Sequence, residues 1–306
     1  MSGTDLVPQE LRTLVAVAEE GGFSAAAVRL GTTQSAMSHA VRGIERKLGA
    51  VLFERGRYGA RPTPAGTRAV AHARRVLRML EVMVAETRGH PAEPTEPTGP
   101  LRVAAFRSAA LHLLPPVLER LAARHPGIEA TVTVVREIGP GTAGEVAEGR
   151  ADLGIATLND GPPQGLVGDV LLEEPYALVH PAGHPAPRSL PLVDWWENCS
   201  SYTREWWAAQ DWIPAATVRA EDDGAVLSMV GSGLGMAIMP ALSLTATPPG
   251  LEITDLGPRR PTRRIGYVAT PELAAAAAVR ALVRELRSAG QRGVTQSTVS
   301  DSRKSE

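Results

Sequence analysis

The sequence of 306 residues has a single cysteine, Cys199, and only two lysines, Lys47 and Lys304. One thiol forms neither an internal disulfide bond nor a zinc site of four thiolates, so nothing in the composition points to an oxidising compartment. The first twenty residues contain four acidic side chains and no continuous apolar core, which is the wrong composition for a secretory signal. We therefore expect a cytoplasmic protein.

Recognisable catalytic motifs are also missing. The sequence has no Gly-x-Ser-x-Gly elbow, no phosphate-binding loop and no zinc-ligand spacing. The glycine run from Gly231 to Gly235 lacks the third glycine of a dinucleotide-binding loop, because Met236 stands in its place. His180 and His184 lie in a loop-like stretch and do not form a helical metal pair. We predict no enzyme activity, no catalytic residue, no metal site and no cofactor.

A long uncharged segment, residues 224–251, raises the question of a membrane span. Glycines and prolines break this segment, and its serine and threonine hydroxyls would each need a partner in hydrocarbon. We predict that it forms a buried helix, a turn and a strand.

Charge is distributed unevenly along the chain. The formal net charge is only −1, but residues 1–90 hold thirteen Arg or Lys against eight Asp or Glu, and the remainder is acidic. Phosphate neutralisation is the sequence-independent part of nucleic-acid binding. The basic head is therefore the expected location of any contact with nucleic acid.

Composition also suggests where the domains end. The length favours two or three folding units. Residues 91–100 are rich in Pro, Glu and Thr without apolar periodicity, which is typical of a hinge. Residues 291–306 are polar and lack aromatic side chains, so we predict a disordered tail there.

The head shows the signals of three short helices. Apolar spacing of three and four predicts the first helix, which ends at Gly21 and Gly22. Ser24 is placed to cap a second helix, and Thr32 or Thr33 is placed to cap a third. Two helices joined by a glycine turn form a helix-turn-helix, whose second helix enters the major groove of DNA.

The third predicted helix has an apolar stripe and an opposite polar face. Amide, hydroxyl and guanidinium groups are those that hydrogen bond to base edges and phosphates. The candidate DNA-binding residues at its start and on this face are Thr33, Gln34, Ser35, Ser38, His39 and Arg42. Arg55, Arg57 and Arg61 follow as candidates for phosphates or the narrower groove. The alternative is a solvated helix face.

A heptad pattern predicts that residues 64–90 form one long helix. Its apolar seam alternates steps of four and three, with arginine and glutamate between, at Ala69, Ala73, Val76, Leu80 and Met83. This seam predicts pairing of two chains. The alternative is a helix packed on its own domain.

These motifs resemble the amino-terminal signature of LysR-type transcriptional regulators. The matching runs are Phe23 to Leu30, Thr33 to Ser38, Leu52 to Arg55 and Thr63 to Gly66. The resemblance implies a multidomain protein. It would have an all-α winged helix-turn-helix domain over residues 1–63, a dimerising linker helix over 64–90 and a hinge over 91–100.

Residues 101–290 alternate predicted strands and helices, which indicates an α/β body with parallel strands. The family resemblance continues here, notably in Gly149 to Leu153. It implies a two-lobed effector domain similar to periplasmic binding proteins. Lobe I would span about residues 101–170 and 259–290, and lobe II about residues 171–258.

A ligand between two such lobes lies at strand ends, where loops bring polar groups together. The candidate effector-binding residues at these positions are Phe106, Arg107, Ser108, Arg136, Thr157, Tyr202 and Thr203. Arginine beside a helix start favours an anionic effector. The alternative is a neutral aromatic effector held by the tryptophans between Trp195 and Trp212, although large aromatics more often fill a core.

The sequence thus predicts a sequence-specific transcriptional regulator that binds an interrupted palindrome in double-stranded DNA and senses a small molecule. We expect a homodimer through the linker helix and a homotetramer built from it. One alternative keeps DNA binding but makes the body a constitutive oligomerisation scaffold. Another is a solute-binding protein, which the basic head and the absence of an export signal argue against.

Overall fold

The chain folds into a helical head, a long connecting helix and a two-lobed body. The computed structural model describes residues 5–56, 59–87, 96–197 and 201–302. The predicted winged helix-turn-helix head and α/β body are both present.

The head contains three helices and a β-hairpin that forms the wing. The elements are α1 (Pro8–Glu20), α2 (Phe23–Arg29), α3 (Gln34–Leu48), β1 (Phe53–Gly56) and β2 (Gly59–Pro62). Gly21 ends α1 with a left-handed φ of 64°. Thr33 caps α3 through a hydrogen bond from the Ala36 N–H to its Oγ1 at 3.2 Å. The predicted cap at Ser24 is wrong, because α2 begins at Phe23 and Ser24 lies inside it.

The long helix α4 (Pro64–Thr87) begins two residues after the wing strand β2 ends. Thr63 Oγ1 accepts the Gly66 N–H at 3.0 Å and donates to the Val51 carbonyl at 2.8 Å. Gly66 packs against the backbone of Leu52, where a Cβ atom would overlap the carbonyl oxygen. These contacts fix the start of α4 to the head.

The body contains nine strands and six α-helices in the part of the chain that the structure describes. The strands are β3 (Gly99–Ala105), β4 (Ile128–Val134), β5 (Leu153–Thr157), β6 (Val167–Pro181), β7 (Leu192–Trp195), β8 (Ala216–Ala220), β9 (Ala237–Pro240), β10 (Leu251–Asp255) and β11 (Thr262–Ala269). The helices are α5 (Leu114–Arg124), α6 (Gly141–Ala147), α7 (Ser201–Ala208), α8 (Asp223–Gly231), α9 (Pro271–Ala274) and α10 (Ala277–Ser302). A π-helical turn, Ala109–Leu113, leads into α5.

The main sheet is mixed, whereas the sequence predicts parallel strands. Its order is β10-β6-β11-β5-β3-β4, with β9 also paired to β6. Helical crossovers join β3 to β4 and β4 to β5, so β3 lies parallel to both of these strands. No helix connects β5 to β6, and β11 pairs antiparallel with both.

The strand β6 joins the two lobes of the body. Its first part, up to Pro175, pairs with β11 in lobe I, and its second part, from Tyr176, pairs with β9 and β10 in lobe II. Each lobe has its own apolar core, centred on residues such as Ile155 in lobe I and Val226 in lobe II. The lobes therefore meet near Pro175, slightly later than the predicted boundary at residue 170.

Two segments of special composition have clear structures. The uncharged segment forms most of α8, a turn and β9, as predicted; β9 is fully buried, whereas α8 buries Val226, Leu227 and Val230 on one face. Within the described ranges, no helix has the length and apolar character needed to cross a membrane. The predicted disorder from residue 291 is wrong as far as Ser302, because α10 continues through it. Leu282 and Leu286 anchor this helix in the core of lobe I, and extending a formed helix costs little.

Candidate functional site

The exposed surface of α3 carries most of the predicted base-reading side chains. Gln34, Ser35, His39 and Arg42 are exposed on this helix. Its buried stripe, which includes Met37, Val41 and Ile44, packs into the core of the head. The helix therefore presents amide, hydroxyl, imidazole and guanidinium groups to solvent on a rigid support.

Ser38 does not belong to this exposed set. Its position on the helix is next to the apolar stripe, and only 5% of its surface is exposed. Arg42 donates from Nη2 to Ser38 Oγ and from Nε to the Ser38 carbonyl, both at 3.3 Å. The Ser38 hydroxyl therefore orients the arginine one turn later, and a base contact by Ser38 itself stays a prediction.

The arginines predicted on the wing are described only in part. Arg61 lies exposed on β2, directly opposite Glu54 on β1. Arg55 lies in β1, where only its backbone is described. Arg57 lies outside the described residues. The sequence interpretation overlooked Arg46, which is exposed one turn after Arg42 on α3. The four-residue spacing from Arg42 is the signal that identifies it.

Ion pairs neutralise some of the basic side chains on other faces of the head. Arg29 pairs with Glu19 at 2.6 Å, and Lys47 pairs with Glu10 at 2.7 Å. The hydrogen bond from Lys47 is also the main reason why the pKa of Glu10 is lowered. Among the described residues, by contrast, no carboxylate pairs with Arg42 or Arg46. The exposed face of α3 therefore carries positive charge that no ion pair in the described part of the chain neutralises.

The helix α4 has two different faces. The predicted seam stays partly open, since Val76 is 48% and Met83 54% exposed. Leu80 of this seam and Val15 of α1 line a groove of about 630 Å³. On another face, Val82 is buried in the core of lobe I. The helix thus packs on its own domains and still presents apolar residues for a second chain.

A cavity of about 430 Å³ lies at the strand ends between the two lobes. Its volume is in the range of small-molecule sites. Thr157, predicted to bind effector, lines it together with Glu137, Tyr176, Glu197 and Arg263. The structure therefore has a cleft where the sequence predicts one.

The two predicted anion-binding arginines are engaged by carboxylates of lobe II. Arg107 forms ion pairs with Asp223 and, at 3.6 Å, with Asp222. Arg136 pairs with Glu221 at 2.8 Å and with Glu197 at 3.5 Å. These guanidinium groups therefore bridge the lobes in this arrangement, and the binding of an anionic effector by them stays a prediction.

Three other predicted effector residues are buried. Phe106 packs under the Arg263 guanidinium at 4.7 Å from the ring centroid, and Ser108 Oγ accepts a hydrogen bond from Arg263 at 3.2 Å. Thr203 is fully buried in α7. Phe106 and Ser108 thus both contact Arg263, which lines the cavity, and effector binding by Phe106, Ser108 and Thr203 stays a prediction. The side chain of Tyr202 lies outside the described part of the chain.

Acidic side chains that the sequence interpretation missed give the cleft its charge. Glu137 accepts hydrogen bonds from the backbone N–H groups of Thr142 and Thr157 at 3.0 and 2.9 Å. Burial raises the pKa of Glu197 above its ordinary value, against the opposing effects of the Glu137 backbone and Arg136. These residues come from distant segments, so no local spacing in the sequence reveals them.

The tryptophans mostly serve as packing groups. Trp195 is buried in the core of lobe II, and Trp206, Trp207 and Trp212 pack against a second apolar cluster of that lobe. Trp196 is half exposed and lies beside Arg219. The alternative of an aromatic ligand box is therefore not supported by their placement. Cys199 lies outside the described residues.

Comparison with known proteins places both parts of the chain in one family. A family model described as the LysR substrate binding domain matches residues 94–291. A second model, described as a bacterial regulatory helix-turn-helix protein of the lysR family, matches residues 8–67.

Similar sequences extend over most of the chain. The probable HTH-type transcriptional regulator LrrA of Synechococcus elongatus is 34% identical over 252 residues, covering 78% of this chain and 83% of that protein. The small neutral protease regulatory protein of Streptomyces coelicolor is 32% identical over 244 residues, covering 78% and 72%.

Solved structures show the same fold. A variant of full-length OxyR from Pseudomonas aeruginosa has a TM-score of 0.69 at 22% identity, covering 92% of this chain and 95% of that chain. LysG from Corynebacterium glutamicum, solved with bound effector arginine, has a TM-score of 0.65 at 18% identity, covering 94% and 99%. CbnR in complex with its target DNA has a TM-score of 0.63 at 21% identity, covering 93% and 100%. These matches confirm the predicted combination of a helix-turn-helix head and a two-lobed body.

Proposed function

The chain belongs to the LysR family of bacterial transcriptional regulators, and from this premise we propose that it binds specific DNA sequences and responds to a small-molecule effector. The observation that carries the proposal is the exposed polar face of α3, supported on a buried apolar stripe and free of neutralising carboxylates at Arg42 and Arg46 among the described residues. In this proposal the chain is a regulator without catalytic activity and works in the cytoplasm, where it meets chromosomal DNA.

The DNA-binding residues of the proposal are those exposed at the start and middle of α3. Gln34, Ser35, His39 and Arg42 enter the major groove, where amides and guanidinium groups form paired hydrogen bonds with adenine and guanine. Arg46 and the wing residue Arg61 contact phosphates, and we assign Arg55 and Arg57 the same role. The related fold of CbnR was solved with its target DNA, which agrees with this assignment.

Two chains bind together in the proposed complex. The open seam of α4 pairs with the seam of a second copy and brings two recognition helices to one duplex. A two-fold symmetric dimer requires a target with two inverted half-sites. The body then joins two such dimers into a homotetramer.

The proposed effector binds in the cleft between the lobes. Its binding competes with, or adds to, the ion pairs that Arg107 and Arg136 make with lobe II. An anion would displace those carboxylates from the arginines. A cation would be attracted by Glu137 and Glu197 at the cavity wall. The related fold of LysG binds arginine, which has both charges.

Selection from a library of random DNA duplexes tests the DNA-binding part of the proposal. The full chain should enrich an inverted repeat with a central spacer, and footprinting should show two protected half-sites. Failure to enrich any common sequence would contradict sequence-specific binding.

Thermal shift of the full chain tests the effector part. Carboxylates, phosphates, amines and neutral aromatics should be compared at equal concentration, and hits repeated with Arg107→Ala. A ligand that binds the folded state raises the melting temperature. Stabilisation by no compound in any class would favour the alternative of a constitutive oligomerisation body.

A further inference from the structure

One face of α4 docks against lobe I through residues spaced four apart, namely Arg74, Arg78, Val82 and Glu86. Arg74 donates to the Glu148 carbonyl at 3.5 Å, and Val82 is buried in the lobe core. Glu86 accepts the backbone N–H of Ala277 at the start of α10, at 2.9 Å. The contact therefore extends over three turns of the helix.

The centre of this contact is a buried ion pair. Arg78 is 5% exposed and Asp152 is fully buried. Arg78 Nε donates to Asp152 Oδ1 at 2.8 Å, while its Nη2 donates to the Pro100 carbonyl and its Nη1 to Glu81 at 3.1 Å. All three guanidinium nitrogens are therefore used, which fixes the direction of the side chain as well as its position.

Asp152 is held just as firmly from the side of the body. It also accepts the backbone N–H and the guanidinium of Arg102 on β3, both at 2.9 Å. Because Arg102 stays in place, the carboxylate keeps a partner even when Arg78 is replaced. Loss of Arg78 therefore removes the central ion pair between the helix and the lobe without leaving Asp152 unpaired.

Gly149 allows α4 to approach this closely. Its φ of +71° is in the left-handed region, and a Cβ atom there would lie 2.9 Å from Arg74 Cβ and 3.2 Å from the Arg75 backbone nitrogen. Any side chain at this position would push α4 outward. Gly149 and Asp152 both belong to the short run, Gly149 to Leu153, in which the body resembles the family.

We propose that this run is a socket for α4, and that Arg78 is a positioning residue through which lobe I sets the direction of the DNA-binding head. The head is fixed to the first turn of α4 by Thr63 and Gly66, and the socket fixes the later turns to lobe I. A rotation of lobe I therefore turns the recognition helix with it. The attachment of α4 to lobe I follows from the structure alone, whereas its effect on DNA binding rests on the proposed function.

Distance measurement between two spin labels tests the socket. The labels are placed at exposed Arg68 on α4 and exposed Glu119 on α5, both replaced by cysteine in a Cys199→Ser background and diluted with unlabelled chain. We expect one narrow distance distribution for the parent and a broadened or displaced one for Arg78→Met and Gly149→Ala. The matched control is Arg150→Met in the same run, because Arg150 pairs with Glu145 and Glu148 inside lobe I.

Unfolding in urea separates a loosened helix from an unfolded lobe. Arg78→Met should keep a cooperative transition and a native circular dichroism spectrum, because Arg102 still pairs with Asp152. An unchanged distance distribution in both Arg78→Met and Gly149→Ala would overturn the socket.

A DNA measurement tests the control of the head. The affinities of the selected inverted repeat and of versions with the spacer changed by one base pair are compared. The ratio of the affinity for the selected repeat to the affinity for the altered spacers should be about three- to tenfold smaller for Arg78→Met than for the parent and for Arg150→Met. Discrimination that stays intact while the distance changes would overturn the control of the head. Absence of specific binding by the parent would instead contradict the proposed function and leave the distance result standing.

Discussion

At the residue scale, burial decides which polar side chains of α3 are free to contact DNA. Ser38 and Arg42 are one turn apart, yet Ser38 is buried and Arg42 is exposed. The hydrogen bonds between them give the arginine a preferred direction before DNA arrives. Preorganisation of this kind reduces the entropy lost on binding.

Arg42→Ala should weaken binding to the selected duplex by about 1 to 3 kcal/mol and relax the preference at one base position. Ser38→Ala should cause a smaller loss, because the guanidinium remains but is less well oriented. Arg46→Ala should weaken all duplexes about equally and lower the salt dependence. Gel-shift titrations at two salt concentrations distinguish these outcomes. Equal losses on specific and random DNA for Arg42→Ala would contradict a base contact.

Two glycines in the head should respond in opposite ways to the same substitution. Gly66→Ala places a methyl group against the Leu52 carbonyl, so the head should lose stability. Gly43→Ala meets no atom within 4 Å inside α3, so helix propensity should stabilise it by about 0.5 to 1 kcal/mol. Thermal unfolding of the full chain measures both. A neutral Gly66→Ala would show that the joint between wing and α4 is looser than described.

At the scale of elements, local signals predicted the head better than the body. Caps and apolar spacing located α3 and α4 because those signals lie within a few residues of each element. The length of β6 depends on its pairing with β11, which follows about ninety residues later. The ion pair between Arg107 and Asp223 spans 116 positions. Periodicity contains no information on such contacts, so the charge of the cleft was not predictable from the sequence.

The open seam of α4 predicts how the chain dimerises. Val76→Glu combined with Met83→Glu places four carboxylates in a paired seam and should reduce dimerisation and DNA binding together. Both residues are about half exposed in the single chain, so the monomer should remain folded. Analytical ultracentrifugation measures the change. Ile253→Glu on β10 serves as the control, because it adds a charge at a similarly exposed apolar residue of lobe II. A double variant that sediments as the parent does would refute the seam.

At the scale of the whole molecule, ion pairs across the cleft hold the lobes at their present separation. Arg107 and Arg136 are partly exposed, and pairs of that kind contribute only about 0 to 1 kcal/mol each. The separation of the lobes therefore changes at a small cost in free energy, which a ligand that prefers another separation would offset. The buried pair of Arg78 and Asp152 is much less exposed to water and keeps α4 on lobe I meanwhile.

Arg107→Ala combined with Arg136→Ala should raise hydrogen–deuterium exchange on both walls of the cleft, because the lobes separate more often. The increase should include the first turn of α8. Arg287→Ala removes an exposed pair with Asp169 within lobe I and should leave the cleft unchanged. Equal exchange in the double variant and the parent would contradict the bridging role.

The affinity of the full chain for its selected duplex, measured against a scrambled duplex of equal length, tests the central claim most directly. At physiological salt, fluorescence anisotropy should show about a thousandfold or greater preference for the selected duplex. Gln34→Ala combined with Arg42→Ala should remove most of that preference while weak binding to both duplexes persists. Equal affinity of the parent for both duplexes, with a steep dependence on salt alone, would contradict sequence-specific recognition by α3.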